Sequence, residues 1–79
     1  MTESCLSQLR SGDCFEIHSL DLYPTLKQRL LDLGMIPGKR IQCAYVAPSG
    51  SPMAFWVKGA LIALRLCDCS QIQGIKCCE

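Results

Sequence analysis

The stretch RLLDLGMIPGKRI, residues 29–41, decides how this chain folds, because a helical pattern ends within it and a strand pattern begins. Upstream of it, Pro24 suits the first turn of a helix, where a missing N–H has no cost. A spacing of four and then three residues predicts one apolar helix face, formed by Leu26, Leu30 and Leu33. Gly34 stands where a left-handed residue ends a helix. We therefore predict a helix that ends at Leu33.

The chain after this helix is predicted to form short strands joined by turns. Pro37-Gly38 suits the central positions of a type II turn. From there the period is two, with Arg40, Gln42 and Ala44 on one face and Ile41, Cys43 and Tyr45 on the other. Lys58-Gly59 predicts a two-residue hairpin connection between strands at 53–57 and 60–66. Further strands are expected at 14–18 and at about 71–76, so the fold class is mainly β, a small β-barrel with one short α-helix.

The predicted hairpin is apolar on both faces. One face is the expected core face and contains Met53, Phe55, Val57, Ala60, Ile62 and Leu64. The opposite face carries Ala54, Trp56, Leu61 and Ala63, with Arg65 as its one charged residue. An outward tryptophan beside a leucine is typical of an anchor in a protein interface. We predict partner binding through Trp56, Leu61 and Ala54; the alternative is that residues 5–9 or the C-terminal tail cover this face.

The charges of the chain are balanced and dispersed. Eight basic and seven acidic residues give a net charge of +1, and no basic cluster of the kind that binds nucleic acid is present. Lys39 and Arg40 form the one adjacent basic pair; they are candidates for contact with an acidic partner, or they solubilise a turn. The apolar stretch around the hairpin is interrupted by Lys58-Gly59 and stays below the ~20 residues needed to cross a bilayer. We expect no membrane insertion, and with no signal-peptide pattern we expect an intracellular protein.

Motifs of an independent enzyme are lacking in the sequence. The single histidine, His18, follows Cys14 by four residues, which in a strand separates the two side chains by ~13 Å, too far for a thiolate–imidazole pair. A phosphate-binding loop and a dinucleotide fingerprint are also absent from the sequence. His18 with Glu16 or Asp21 offers part of an Fe(II) site, although a solvated strand face explains the same residues. We predict that the protein is not an enzyme.

Seven cysteines are many for 79 residues. Their odd number and the lack of a signal-peptide pattern favour free thiols over a disulfide scaffold. Cys67-x-Cys69 and Cys77-Cys78 together offer four thiols for a zinc or iron–sulfur site, but the spacing differs from the usual C-x2-C pair. The alternative is that Cys69 packs as a small apolar residue and that the other thiols are incidental.

Three motifs in a fixed order resemble the ferrous iron transport protein A (FeoA) family. They are R-L-x-x-L-G-x-x-P-G from Arg29, A-P-x-G-x-P from Ala47 and G-x-x-x-A-L-R from Gly59, and the resemblance runs over residues 12–75. It implies an SH3-like β-barrel fold, located in the cytoplasm of a bacterium. The length predicts a single domain over residues 1–79, and 49% apolar residues are enough for a compact core without a cofactor. The resemblance does not by itself supply a mechanism.

The resemblance also implies a function in ferrous iron transport. FeoA-like proteins are accessory to FeoB, a membrane transporter of ferrous iron with a cytoplasmic GTP-binding domain, so we expect a non-catalytic protein–protein interaction module that binds the cytoplasmic part of a FeoB-type partner. The alternative function is transition metal ion binding, of Zn or Fe(II), or redox sensing, by Cys67, Cys69, Cys77 and Cys78. The sequence leaves open whether the chain forms a homodimer.

Overall fold

The computed structural model describes residues 3–77, which form one antiparallel sheet, two α-helices and a 3-10 helix. The elements in chain order are β1 (Ser4–Cys5), the 3-10 helix (Leu6–Gln8), β2 (Cys14–Leu20), α1 (Pro24–Leu33), β3 (Arg40–Val46), β4 (Met53–Val57), β5 (Ala60–Leu64), α2 (Leu66–Cys69) and β6 (Ile72–Cys77). The strands lie in the order β1-β6-β2-β3-β4-β5, so β1 and β5 are the two edges. The predicted mainly β fold with one short helix is confirmed, and the four-residue α2 is an addition to it.

The helix-to-strand junction forms as the sequence predicts. Gly34 has φ 108°, and its N–H lies at the end of α1, bonded to the carbonyl of Leu31 at 3.1 Å. Gly38 has φ 91°, and the N–H of Lys39 donates to the carbonyl of Ile36 at 3.0 Å, as in a type II turn. β3 begins at Arg40, the residue directly after this turn.

Replacement of Gly34 by alanine is expected to lower the free energy of unfolding by ~1–2 kcal/mol, because an L-residue is strained at this positive φ. The new methyl group would also lie 3.0 Å from Cδ of Lys58, a flexible side chain that can move. Urea denaturation followed by circular dichroism measures the loss. Gly34→Asn, which tolerates a left-handed backbone better, should lose less; an equal loss in both variants would contradict backbone strain as the cause.

The core is a single apolar cluster between the sheet and its connections. It contains Leu6, Leu9, Phe15, Ile17, Leu20, Leu30, Met35, Ile41, Cys43, Met53, Phe55, Val57, Leu64, Cys69 and Ile72. The N-terminal segment contributes Leu6 and Leu9 to this cluster. That segment is therefore used inside the core, where each fully buried leucine contributes roughly 1.5–3 kcal/mol.

A β-bulge in β3 changes the face on which Tyr45 lies. The pairing of β3 with β4 shifts between Cys43 and Tyr45, so that Cys43 is opposite Phe55 while Tyr45 is opposite Ala54. Ile41 and Cys43 are buried as predicted, but Tyr45 is 47% exposed. The predicted alternation is wrong from Ala44 onward, because the bulge inserts one residue and moves Tyr45 to the outer face.

Candidate protein-interaction site

The outer side of the β4–β5 hairpin exposes an aromatic–aliphatic pair. Lys58 and Gly59 both have positive φ, 51° and 78°, which is the backbone of a tight two-residue turn. This turn fixes the register, and Trp56 lies directly opposite Leu61. The two side chains remain 47% and 50% exposed. Two large apolar groups are thus held side by side on a rigid hairpin, in the pair position where cross-strand side chains come closest.

Ala54 does not belong to the exposed part of this surface. Its cross-strand neighbours are Tyr45 on β3 and Ala63 on β5, and it is fully buried. The methyl group of Ala54 is much shorter than its neighbours on this face, Tyr45 on the adjacent strand and Trp56 two residues along β4. It therefore lies below the surface that they form. The prediction that Ala54 contacts a partner is therefore corrected, and Tyr45, which shares this face, takes its place.

Arg40 lies on the same outer face as Trp56. The partner of Trp56 on β3 is Gln42, and Arg40 is two residues away from Gln42, which makes it a diagonal neighbour of the tryptophan. The guanidinium is exposed and its Nε lies 3.9 Å from Oε1 of Glu16. We call Trp56, Leu61, Tyr45 and Arg40 the hairpin face. Lys39 is also exposed, but it sits in the preceding turn.

The hairpin face continues into an open groove between α1 and β5. The groove has a volume of about 410 Å³ and is lined by Leu26, Arg29, Leu30, Leu33, Leu61, Ile62, Ala63 and Leu64. Leu61 belongs to both surfaces. Of the predicted helix stripe, Leu30 is buried in the core, Leu26 is half-buried and Leu33 stays 45% exposed. The helix thus covers the core with one part of its apolar face and lines the groove with the rest.

The alternative in which another part of the chain covers the hairpin face receives no support from the described residues. Residues 5–9 pack with the core and with β6, and β6 lies between β1 and β2, on the far side of the sheet from β5. Within residues 3–77, Trp56 and Leu61 keep about half of their surface in solvent. The surface is larger than a scattered exposed leucine and is of the kind that marks a contact site.

The C-terminal thiols are not brought together in the described part of the chain. Cys67 is exposed, Cys69 is buried, and Cys77 is half-buried opposite Cys14 at the end of β6; Cys78 lies outside the described residues. Residues two apart on a helix point in different directions, which separates Cys67 from Cys69. Over residues 3–77, no group of three or more His, Cys, Asp and Glu side chains is placed to hold a metal ion.

The environment of Cys69 also disfavours a ligand role. Burial, and secondly the negative charge of Asp68, raises the pKa of the Cys69 thiol to about 12. The thiolate is the species that binds metals. Cys69 is a core residue by its burial, and the thiols of residues 3–77 are not arranged as the predicted tetrahedral zinc or iron–sulfur site.

His18 lies between two carboxylates and is not part of a cluster of metal ligands. Its Nδ1 lies 3.1 Å from Glu3 and its Nε2 lies 3.3 Å from Glu16. The two carboxylates meet opposite nitrogens of the imidazole, so they do not converge on one point as the ligands of one ion must. Asp21, after the end of β2, donates its main-chain N–H to the carbonyl of Gln71.

The architecture is that of a small SH3-like domain. A solved FeoA from Stenotrophomonas maltophilia in complex with zinc, a prokaryotic SH3 domain protein put forward as an activating factor of bacterial ferrous iron transport, superposes with a TM-score of 0.77 at 24% identity, covering 90% of this chain and 88% of that one. The FeoA-like protein of Clostridium acetobutylicum gives a TM-score of 0.83 at 21% identity, over 100% of this chain and 93% of the other. These two likenesses establish the fold.

The family follows from the sequence match. The model of the FeoA domain matches residues 5–75, so the chain belongs to the FeoA family. The FeoA protein of Chlorobium tepidum is 32% identical, with a TM-score of 0.83, and the match covers 90% of this chain and 69% of that protein. The family consists of SH3-like proteins associated with ferrous iron transport. In residues 3–77, no helix has the length and apolar character needed to cross a bilayer.

Proposed function

We propose that this protein is a non-catalytic cytoplasmic module that binds the cytoplasmic part of a FeoB-type ferrous iron transporter through the hairpin face. Membership of a family associated with ferrous iron transport supports the choice of partner. The observation that carries the choice of surface is the exposed Trp56–Leu61 pair and its continuity with the α1–β5 groove. Tryptophan contributes more to protein interfaces than most residues, and flanking polar groups such as Arg40 suit an interface rim.

The test is capture of the transporter from detergent-solubilised native membranes under reducing, anaerobic conditions, with and without Fe(II) and guanine nucleotide. The variant Trp56→Ala/Leu61→Lys removes one anchor and places a charge on the other. We expect binding to the isolated GTP-binding part to weaken by at least ~30-fold, as for loss of an interface anchor worth 2 kcal/mol or more. Titration calorimetry measures the affinity once the variant has passed a folding check by circular dichroism.

A matched control is Tyr23→Ala, which removes an aromatic side chain that is 57% exposed at the start of α1, outside the hairpin face. This variant should bind as the wild type does. If the double variant folds and binds with unchanged affinity, the hairpin face is not the contact surface. If the wild type captures no GTP-binding iron transporter, the partner itself is wrong.

A further inference from the structure

The edge strand β5 has main-chain groups that no neighbouring strand uses. In a two-residue hairpin, Val57 and Ala60 form the closing hydrogen-bonded pair, so the bonds of β5 to β4 come from residues 60, 62 and 64. The N–H and C=O groups of Leu61 and Ala63 then point away from β4. Because β5 ends the sheet, these groups lie on its free edge, and Leu61 and Ala63 both line the α1–β5 groove.

The two edges of the sheet differ in how they are protected. The opposite edge, β1, is only two residues long, which gives an incoming strand little to pair with. The β5 edge is five residues long and entirely apolar, with the sequence ALIAL. Exposed apolar edges of this length promote aggregation unless they are used or guarded. The β5 edge is therefore the one suited to accept a strand.

The charges around the groove select the partner. Arg29 is the one charged residue among those that line it, and no acidic residue is among them. At the end of α1, the alkyl chain of Lys58 lies against Gly34, the residue that follows Leu33 of the groove lining, so a second cation lies near one end of the groove. A second copy of this chain would pair β5 with β5 and bring Arg29 and Lys58 of both copies to a groove whose lining holds no carboxylate. An acidic strand instead meets complementary charge.

We propose that the occupant is an extended segment of a protein partner with alternating apolar and acidic residues, which adds to β5 as a further antiparallel strand. Its main chain bonds to Leu61 and Ala63, and its side chains alternate between two faces. The apolar row enters the groove, and the carboxylates point toward its opening, where the long exposed side chains of Arg29 and Lys58 reach them. This mode of recognition draws affinity from main-chain hydrogen bonds and specificity from the alternate side chains. It extends the proposed function, since Leu61 belongs to both surfaces, and it names the chemistry of the segment that the transporter would supply.

A defined peptide tests the chemistry independently of the transporter. A blocked nonapeptide of alternating valine and glutamate is titrated into the 15N-labelled full chain at low salt, with a valine–lysine peptide as the charge control. We expect amide shift changes centred on Leu61 and Ala63, protection of those amides from hydrogen exchange, and binding ~10-fold tighter than that of the lysine peptide. Shifts located elsewhere, or no preference for the acidic peptide, would overturn the proposal.

Two pairs of variants separate the main-chain and charge contributions. Ala63→Pro removes the outward N–H without touching the β4 ladder and should weaken peptide binding at least ~10-fold, whereas Ala63→Ser keeps the N–H and should bind normally. Arg29→Glu should weaken binding ~5-fold or more, whereas Lys27→Glu makes the same change of charge on the same helix outside the groove. Normal binding by folded Ala63→Pro would refute strand addition.

The outcomes also separate this proposal from the proposed function. If the transporter binds and Trp56→Ala/Leu61→Lys abolishes its binding, but Ala63→Pro does not, the proposed function stands and strand addition is wrong. If the acidic peptide adds to β5 but the transporter does not bind, strand addition stands and the partner is wrong. Concentration-dependent shifts of the Leu61 and Ala63 amides without peptide would show pairing of two copies and overturn the choice of occupant.

Discussion

Replacement of Gly74 by alanine is expected to lower the free energy of unfolding by ~3 kcal/mol or more, because the fold leaves no space for one methyl group at this position. Gly74 lies in β6, where it pairs with Ser4 of β1 on one side and with Ile17 of β2 on the other. A Cβ atom would clash with the carbonyl oxygen of Glu16 and would lie 2.7 and 2.9 Å from two ring carbons of Phe15. The methyl group can enter only if the backbone or the ring moves.

Neither group can move at low cost. The clashing oxygen of Glu16 belongs to the main chain of β2, which is paired on both sides, and Phe15 is fully buried in the core. Interiors are packed too densely to absorb such a shift locally. For a domain of this size, whose stability is typically ~5 kcal/mol, a loss of ~3 kcal/mol leaves ~2 kcal/mol and raises the unfolded fraction to a few per cent, and a loss above ~5 kcal/mol unfolds most molecules.

Urea denaturation followed by circular dichroism measures the effect, and Gly38→Ala is the matched control. Gly38 has φ 91° but open space around its Cα, so the same substitution there costs only backbone strain of ~1–2 kcal/mol. At Gly74 the expected loss of stability comes from the lack of space for a methyl group. A Gly74→Ala variant as stable as Gly38→Ala, or more stable, would show that β6 shifts freely against β2 and would contradict the packing described for this sheet.

The elements set by local backbone chemistry were predictable from the sequence. Gly34, Pro37-Gly38 and Lys58-Gly59 each require a special backbone conformation, and the structure has the helix end, the turn and the hairpin at those positions. Such residues act through their own φ angles, so their effect does not depend on distant parts of the chain. The exposed Trp56–Leu61 pair followed from the hairpin register for the same reason.

The features that depend on tertiary contacts were not predictable in this way. The bulge after Cys43 moves Tyr45 to the outer face, and no residue type at this point of the sequence predicts a bulge. Ala54 is on the same side of its strand as Trp56, but the larger side chains around it leave it buried. The groove likewise forms only when Leu33 of α1 is placed beside β5, two elements that are nearly thirty residues apart. These outcomes depend on how the elements pack, which the alternation of residues in a strand does not predict.

The thiol of Cys69 is expected to make the stability of the protein depend on alkaline pH. Its side chain is fully buried at the end of α2 and its pKa is raised to about 12 from an ordinary value of 9.0. Burial is the larger cause and the charge of Asp68 the second. A folded-state pKa above the unfolded one means that the folded chain holds the proton more tightly, so stability is fully present below about pH 9 and falls as the pH rises toward 12.

The size of the effect follows from the width of this window. Each pH unit above the unfolded pKa removes ~1.4 kcal/mol, so that about 2 kcal/mol is lost between pH 9 and pH 10.5. Other groups titrate in the same range, so the quantity of interest is the difference in pH dependence between the wild type and Cys69→Ala. The variant should be less stable at pH 7, because a buried atom is removed, but its stability should fall less steeply above pH 9.

Cys67→Ala is the matched control, because Cys67 lies two residues away on the same short helix and its side chain is exposed. Urea unfolding curves from pH 7 to 10.5, collected for the three proteins under reducing conditions, give the comparison. If the free energy of unfolding falls equally with pH in the wild type and in Cys69→Ala, the raised pKa of the buried thiol is contradicted. The expected result bears on the thiol hypothesis directly, because burial that raises the pKa of the Cys69 thiol makes it a poorer metal ligand and nucleophile than an exposed thiol. Among the cysteines in the described residues, Cys67 is exposed and is therefore the better candidate for any sensing by this chain.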